Sequence, residues 1–487
     1  MEWTKEARYR PYSKMTEEEK TALRETVAHS PWRQTFHIQP PIGLLNDPNG
    51  FSYYDGMYHL FYQWFPYGAV HGLKHWYHVV SKDLATWTEQ GLAIEPDLPH
   101  ESHGAYSGSG FVHDNKLHLL YTGNQRTDEW ERVPNQALAI MNADWSIEKR
   151  PLPLIADSPE GYTEHFRDPK VWKDGDTFYF VIGAQRDSLT GCALLYKSSD
   201  VLNWELVGEI RTTLTDFGYM WECPDYFELD GKGILVFSPQ GVEAEGTHYQ
   251  NIYQTGYLIG SPLDLKTGEF QHGTFHELDA GFDFYAPQST EAKDGRRIVI
   301  GWMGLPDIEY PSDRYDWAHC LTLPREVTLA DGKLIQKPVQ ELENRRGKGT
   351  PFQHSTGETS IDAGTTYEIK LEFSSIESLN YGIRLRTSET EQTTLTFDQT
   401  DNMLTLDRSK SGEVPAQAYG TTRSVSLHGE KLTSLQLFVD TSSVEIFANN
   451  GQVVFTSRIF PQDESTGFQT FANQGTVNVT GIHWTIS

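Results

Sequence analysis

The chain has 487 residues, which by length alone allows about three domains. Its 38% apolar and 22% charged residues belong to a folded chain and exclude a disordered one. Forty Lys and Arg stand against 67 Asp and Glu, a formal net charge of −27 with no basic run, which excludes nucleic acid as a partner and requires any anionic ligand to be met by a local cluster of positive charge.

The N-terminal segment MEWTKEARYRPYSKMTEEEK has no apolar signal-peptide core. No stretch of the chain approaches a membrane span, so no membrane partner is expected and a cytoplasmic location is. Cys192, Cys223 and Cys320 are too few and odd in number for a disulfide framework, and no C-x-x-C pair suggests zinc. Residues 1–36 read as an extension ending in a short helix. Thr16 with Glu19 forms a capping box, and Leu23 and Val27 make an i, i+4 apolar edge.

From about His37 to residue 337, one unit recurs. Its turns are Asp55-Gly56, Asp114-Asn115, Asp174-Gly175, Asp230-Gly231 and Asp294-Gly295, spaced by 59, 60, 56 and 64 residues. Apolar alternation flanks each turn, as in FSYYDGMYHLFYQ and VWKDGDTFYFVIG. Such dipeptides signal two-residue hairpins in which both turn residues take positive φ. S-x-D-x-x-x-W, at Ser81-Asp83-Trp87 and again at Ser198-Asp200-Trp204, echoes the period. Five units in phase predict a five-bladed β-propeller. The aromatic content of 13% suits its core as well as it suits sugar-stacking surfaces.

The same phase gathers chemistry. Asp47 precedes the first turn by eight residues, Asp168 the third by six and Glu222 the fourth by eight. Ser107 and Tyr285 lie at nearly the same phase in the second and fifth units. Equivalent points on the first strands should meet at one channel mouth, so three carboxylates are directed into one polar funnel. Singly, Asp-Pro-Asn-Gly is an ordinary turn, Arg167-Asp168 an ordinary pair, and Glu222 an ordinary surface acid. Set between Trp221 and Cys223, however, Glu222 is expected to be desolvated, as a general acid requires. One ionised carboxylate as nucleophile and one protonated carboxyl as acid suit glycoside hydrolysis. No metal or other cofactor is implied by that chemistry, although three acids could also hold calcium.

Residues 338–349 read as a short helical linker. From 350 to 487 the pattern becomes short alternating strands, such as TYEIKLEF, YGIRLRT, LQLFVD and VVFTSRIF, and predicts a β-sandwich with a structural role.

The ordered set H-x-x-P-x-x-G-x-x-N-D-P-N-G, Arg-Asp-Pro and Glu-Cys-Pro, followed by the C-terminal SSVEIFANNGQVVFTSRIFP, resembles glycoside hydrolase family 32 over nearly the whole chain. That family comprises invertases, fructan hydrolases and sucrose-6-phosphate hydrolases, on a five-bladed propeller with a β-sandwich. The resemblance implies that Asp47 is the nucleophile, Asp168 the transition-state stabiliser and Glu222 the general acid/base. It further implies that Asn46, Gln63, Trp76, Ser107, Arg167 and Tyr285 line the fructose pocket. The usual W-G-x-x-x-W-G-H is replaced by HGLKHWYH, Leu44-Leu45 stands where Trp-Met is usual, and Ser289 replaces a Thr. These departures, and the stretch FPYGAVHGLKHWYHVVS, resemble the intracellular branch acting on sucrose phosphorylated at the glucose 6-position. Lys74 and His71 are then the expected phosphate partners, with Arg126 and Arg186 as further candidates. Hydrolysis of plain sucrose or fructans, fructosyl transfer and a non-catalytic sugar-binding propeller are the alternatives. Oligomeric state is not legible.

Overall fold

A computed structural model of the chain describes residues 3–355 and 359–486. The N-terminal segment forms a four-residue helix, Lys5–Arg8, and a longer one, Glu17–Ala28. The second helix begins on the expected capping box, with the Thr16 side chain accepting from the Glu19 amide and the Glu19 carboxylate accepting from the Thr16 amide. Val27 is buried beneath it. Among the described residues, no helix is long and apolar enough to cross a membrane.

The chain is mainly β. Between Gly43 and Pro338 the described strands form five sheets, antiparallel except for one pair, opened in turn by Gly43–Tyr54, Ala105–His113, Tyr162–Asp174, Met220–Leu229 and Tyr285–Glu291. We call these the inner strands, because each packs against the next and the fifth returns to the first. Polar side chains tie them together. The Phe51 amide donates to Gln288 Oε1 at 2.8 Å, and Gln288 Nε2 donates to the Gly108 carbonyl at 2.9 Å. Late in the chain, Trp317–Ala318 joins the first sheet in parallel beside Gly43 and Leu44, so the two ends of this region share a sheet.

The hairpins follow the predicted phase, with one difference. Both turn residues have positive φ at Asp55-Gly56, Asp114-Asn115 and Asp230-Gly231. At Asp174-Gly175 and Asp294-Gly295 only the glycine does. There the pairing ends elsewhere: Asp174 is itself paired, with Thr177, and the fifth hairpin closes at Glu291 and Arg297. The S-x-D-x-x-x-W echoes fold alike. Asp83 Oδ1 accepts from the Ala85 and Thr86 amides, and Asp200 Oδ1 from those of Leu202 and Asn203. In each, the Trp indole N–H donates to the carbonyl three residues earlier, at 3.1 Å.

Residues after 350 form two six-stranded sheets. Alternate residues fill the space between them: Tyr367, Ile369, Leu371 and Phe373 from one sheet, Tyr381, Ile383, Leu385 and Leu395 from the other. The strands read from sequence are all present. The sequence reading found no acid or histidine cluster in this part, and taken alone it has none. Across its contact with the earlier sheets there is one. His37 Nδ1 meets Asp440 at 2.8 Å and His37 Nε2 meets Glu445 at 3.0 Å. Arg325 bridges Glu445 at 2.6 Å and Asp279 at 3.0 Å. All five side chains are buried. His37, part of the first sequence motif, therefore fastens the two regions together.

Candidate active site

Each inner strand carries a β-bulge at the same point. The pairing skips one extra residue between Leu45 and Pro48, Ala105 and Gly108, Arg167 and Lys170, Glu222 and Asp225, and Tyr285 and Gln288. A bulge bends its strand and re-aims a side chain. Asp47, Ser107 and Asp168 lie within these bulges, and Glu222 and Tyr285 immediately precede them. Asp168, Cys223 and Ala286 have φ of 73°, 46° and 46°, a left-handed backbone that non-glycine residues adopt at a cost. The common phase seen in the sequence is thus a common backbone distortion, which turns the five side chains toward one another.

Asp47 sits among donors. Ser107 Oγ donates to Asp47 Oδ2 at 2.5 Å, Asn46 Nδ2 to Oδ1 at 3.2 Å, and Gln63 Nε2 to Oδ2 at 3.4 Å. The Cys223 thiol lies 3.6 Å from Oδ2. Gln63 also accepts from Asn46 at 2.9 Å and donates to Ser107 at 2.6 Å, which locks the orientation of the group. Burial pushes the Asp47 carboxyl up, the Ser107 hydrogen bond opposes this, and the Glu222 charge adds to it. Asp168 accepts from the Cys223 amide at 3.0 Å. Burial raises its pKa, Arg167 pulls it down, and Glu222 and Asp47 push it up again. Cys223 thereby links two carboxylates, by its amide and by its sulfur. Its thiol is driven far up by burial and by all three acids, so it stays protonated.

Glu222 is held from two other strands. Arg167 donates to its Oε1 from Nε at 3.0 Å and from a terminal nitrogen at 2.8 Å. The Tyr285 hydroxyl donates to Oε2 at 2.6 Å. The expected flanking by Trp221 and Cys223 is corrected here. Strand alternation turns Trp221 to the opposite face, where it stacks on Phe237 at 4.1 Å, while Cys223 faces Asp47 and Asp168. His165, two residues before Arg167 on the same strand face, accepts from its guanidinium at 2.9 Å. The sequence reading missed His165, although its i, i+2 spacing from Arg167 was a signal.

Trp76 departs from expectation. It pairs with Gln63 across the sheet, but it is fully buried against Phe61 and Tyr121 and its indole donates to the Tyr106 carbonyl at 3.0 Å. It backs the pocket and offers no surface to a sugar.

Lys74 and His71 need a larger correction. The loop between Phe65 and His75 does lie at the mouth end. Lys74, however, is only 5% exposed, donating to Asn46 Oδ1 at 2.6 Å and lying 2.9 Å from His71 Nδ1. Burial lowers its pKa to about 7, against the pull of Asp47. It is neither a solvated loop cation nor an outward-facing anion receptor. Burial and Lys74 hold His71 well below its ordinary value, so its ring is neutral. Arg186 is spent on Glu209, at 2.8 Å. Among the described residues, no three His, Cys, Asp or Glu side chains converge so as to hold a metal ion.

Comparison with known proteins gives the family. The family model described as the glycosyl hydrolases family 32 N-terminal domain matches residues 37–338, and that described as the family 32 C terminal matches residues 334–485. The chain belongs to glycosyl hydrolase family 32 and is a glycoside hydrolase. It is similar to the sucrose-6-phosphate hydrolase of Staphylococcus xylosus, with 48% identity over 97% of this chain and 96% of that protein. Among solved structures it is similar to the sucrose-6-phosphate hydrolase of Lactobacillus gasseri, at TM-score 0.94 and 37% identity, covering 100% of this chain and 99% of the other. A mutant GH32 β-fructofuranosidase of Bombyx mori in complex with sucrose is similar at TM-score 0.84 and 36% identity, covering 96% and 98%.

Proposed function

We propose that this chain is a retaining β-fructofuranosidase whose preferred substrate is sucrose phosphorylated on the glucose 6-position. The observation that carries the reading is the convergence of Asp47, Asp168 and Glu222 from three inner strands, each held by donors from a different strand. The similarity to sucrose-6-phosphate hydrolases supports the choice of substrate.

In this reading Asp47 attacks C2 of the fructosyl unit as the bond from C2 to the glucosyl oxygen breaks. Glu222 gives that oxygen its proton, releasing glucose 6-phosphate. Water then attacks C2, Glu222 takes the water's proton, and Asp47 leaves, so that two inversions retain configuration. Asp168 accepts hydroxyls of the fructosyl ring and stabilises its positive charge. Arg167 and Tyr285 position the acid. Asn46, Gln63 and Ser107 position the nucleophile, and Lys74 supports Asn46 from behind.

We read the five sheets of residues 37–337 as the blades of a propeller, residues 338–349 as a linker, 350–487 as a sandwich and 1–36 as an extension. The ring of inner strands and the Trp317–Ala318 pairing support this. A dianionic sugar does not cross a bilayer unaided, so the enzyme acts where its substrate is phosphorylated, in the cytoplasm.

The test is kcat/KM on sucrose 6-phosphate and on sucrose, together with trapping of the covalent intermediate. A fructosyl adduct on Asp47 and a clear preference for the phosphorylated sugar are expected. An adduct on another residue overturns the role of Asp47.

A further inference from the structure

The second sheet carries two arginines that the chemistry above leaves unused. Arg126 ends the strand Lys116–Arg126, Arg132 begins Arg132–Met141, and the two are directly opposed across the hairpin. Like charges placed opposite one another in a sheet destabilise it. Several buried or half-buried arginines here have a carboxylate: Arg186 has Glu209, Arg325 has Glu445, Arg346 has Glu368 and Arg408 has Asp283. Arg386, which has none among the described residues, spends its donors on three backbone carbonyls instead. Among the described residues, neither Arg126 nor Arg132 has one within ion-pair distance. The Nε atoms of both are buried with no hydrogen-bond partner. Arg126 spends one terminal nitrogen on the Trp130 carbonyl, at 3.1 Å within its own hairpin. In a chain of net charge −27, two opposed and uncompensated guanidiniums are a built-in demand for an anion.

Their place in the fold says which anion. The inner strand Ala105–His113 starts at the catalytic end, with Ser107, and its hairpin turn at Asp114-Asn115 lies at the far end. The next strand therefore returns to the catalytic end. Gly123 pairs with Ala105 there, and Arg126 stands three residues beyond. Arg132 also acts electrostatically on His165, the residue that receives a hydrogen bond from Arg167, and Arg167 in turn holds Glu222. The pair thus lies at the end of the second sheet that carries Ser107, next to the third inner strand that bears His165 and Arg167. The N-terminal extension completes the rim. The Tyr9 ring lies 5.1 Å from His103 and 5.4 Å from Trp130, Lys5 Nζ stands 3.0 Å over the Trp130 ring, and Arg8 donates to the His71 carbonyl at 2.7 Å. The rim thereby gains two further cations. Glu164, beside His165, and the turn residues Asp128, Glu129 and Glu131 are exposed and leave the arginines unpaired.

We infer that Arg126 and Arg132 are the specificity-determining receptor for the 6-phosphate of the glucosyl leaving group, walled by the N-terminal extension, and that Lys74 and His71 are not. This inference rests on the phosphorylated-sucrose reading above. Two planar guanidiniums can each offer a phosphate a paired set of N–H donors, which no lysine reproduces.

The experiment compares Arg126→Gln, Arg132→Gln and Arg132→Lys with the wild type, on sucrose 6-phosphate and on sucrose, with melting temperature as the check on folding. Each Gln variant should lose about ten- to 150-fold in kcat/KM on the phosphorylated sugar. On sucrose, which has no phosphate to meet them, the change should stay within about threefold. Arg132→Lys should recover part of the loss. Inhibition by glucose 6-phosphate should weaken by a similar factor, and inhibition by glucose should not change. Equal losses on both substrates, or none on either, overturn the assignment. Should the wild type not prefer sucrose 6-phosphate, the substrate reading falls; glucose 6-phosphate inhibition then decides the arginine assignment, which fails if the variants bind that sugar as the wild type does.

Discussion

Arg167 places two donors on a single oxygen of Glu222, at 3.0 and 2.8 Å, and leaves the other oxygen to Tyr285 at 2.6 Å. The acid's position is therefore set by the third and fifth inner strands rather than by its own. That arrangement aims one carboxyl at one spot, as proton donation to a leaving oxygen requires.

Glu222→Gln keeps the side chain's shape and, with its amide oxygen toward Arg167, the arginine contacts; its NH2 must then donate to the Tyr285 oxygen, and the transferable proton is gone. Its kcat on sucrose should fall by about two to four orders of magnitude, with a much smaller loss on an aryl fructoside whose leaving group needs no acid. The alkaline limb of the kcat/KM profile should disappear with it. Equal losses on both substrates exclude Glu222 as the acid.

Asp168→Asn is expected to lower kcat. Burial and the charges of Glu222 and Asp47 disfavour the ionised form of Asp168, against the pull of Arg167. Asp168 neither attacks nor passes a proton in the reading above, so Asp168→Asn should leave both limbs of the pH profile in place. A displaced acidic or alkaline limb gives Asp168 a part in proton transfer instead.

Lys74→Met distinguishes a buried support from a phosphate receptor. Because Lys74 bonds Asn46 beside Asp47, the proposed nucleophile, kcat should fall on sucrose and sucrose 6-phosphate by the same factor, about tenfold or more. A loss confined to the phosphorylated sugar returns Lys74 to the phosphate site and displaces the arginine pair.

The His37 cluster should make the docking of the C-terminal sheets pH-dependent. Burial opposes charge on His37, but Asp440 and Glu445 outweigh it and raise its pKa. Its contribution is complete below the unfolded value of about 6.5 and is lost as pH rises through the folded value. Burial likewise opposes charge on Asp440 and Glu445, yet their partners hold both below the usual carboxylate range. Their contribution is complete above about 4 and is lost as pH falls through the folded values. His37→Ala leaves two buried carboxylates short of a cation and should cost about 3–5 kcal/mol. In urea unfolding, the gap between wild type and variant should be widest near pH 5–6 and should narrow as pH rises. A gap independent of pH shows that the ring is not charged in the fold.

The turn dipeptides, their period near 60 residues and the shared phase of Asp47, Asp168 and Glu222 were legible because hairpins and alternation are local, and a repeated unit repeats its local signals. The helix at Glu17–Ala28 and the strands after 350 were legible for the same reason. What surrounds each site residue was not. Trp221 is the sequence neighbour of Glu222 but faces away, while Arg167 and Tyr285, 55 and 63 residues distant, hold it. Lys74 read as a phosphate partner and is buried behind Asn46; His37 looked like part of the catalytic motif and joins the two regions. Arg132 drew no notice, because an arginine lacking a carboxylate is recognised only once every neighbour has been placed. Sequence determined the strands and the depth at which each acid sits along them. The tertiary structure decided burial and partnership, and hence charge, because those depend on groups that the chain brings together from other strands.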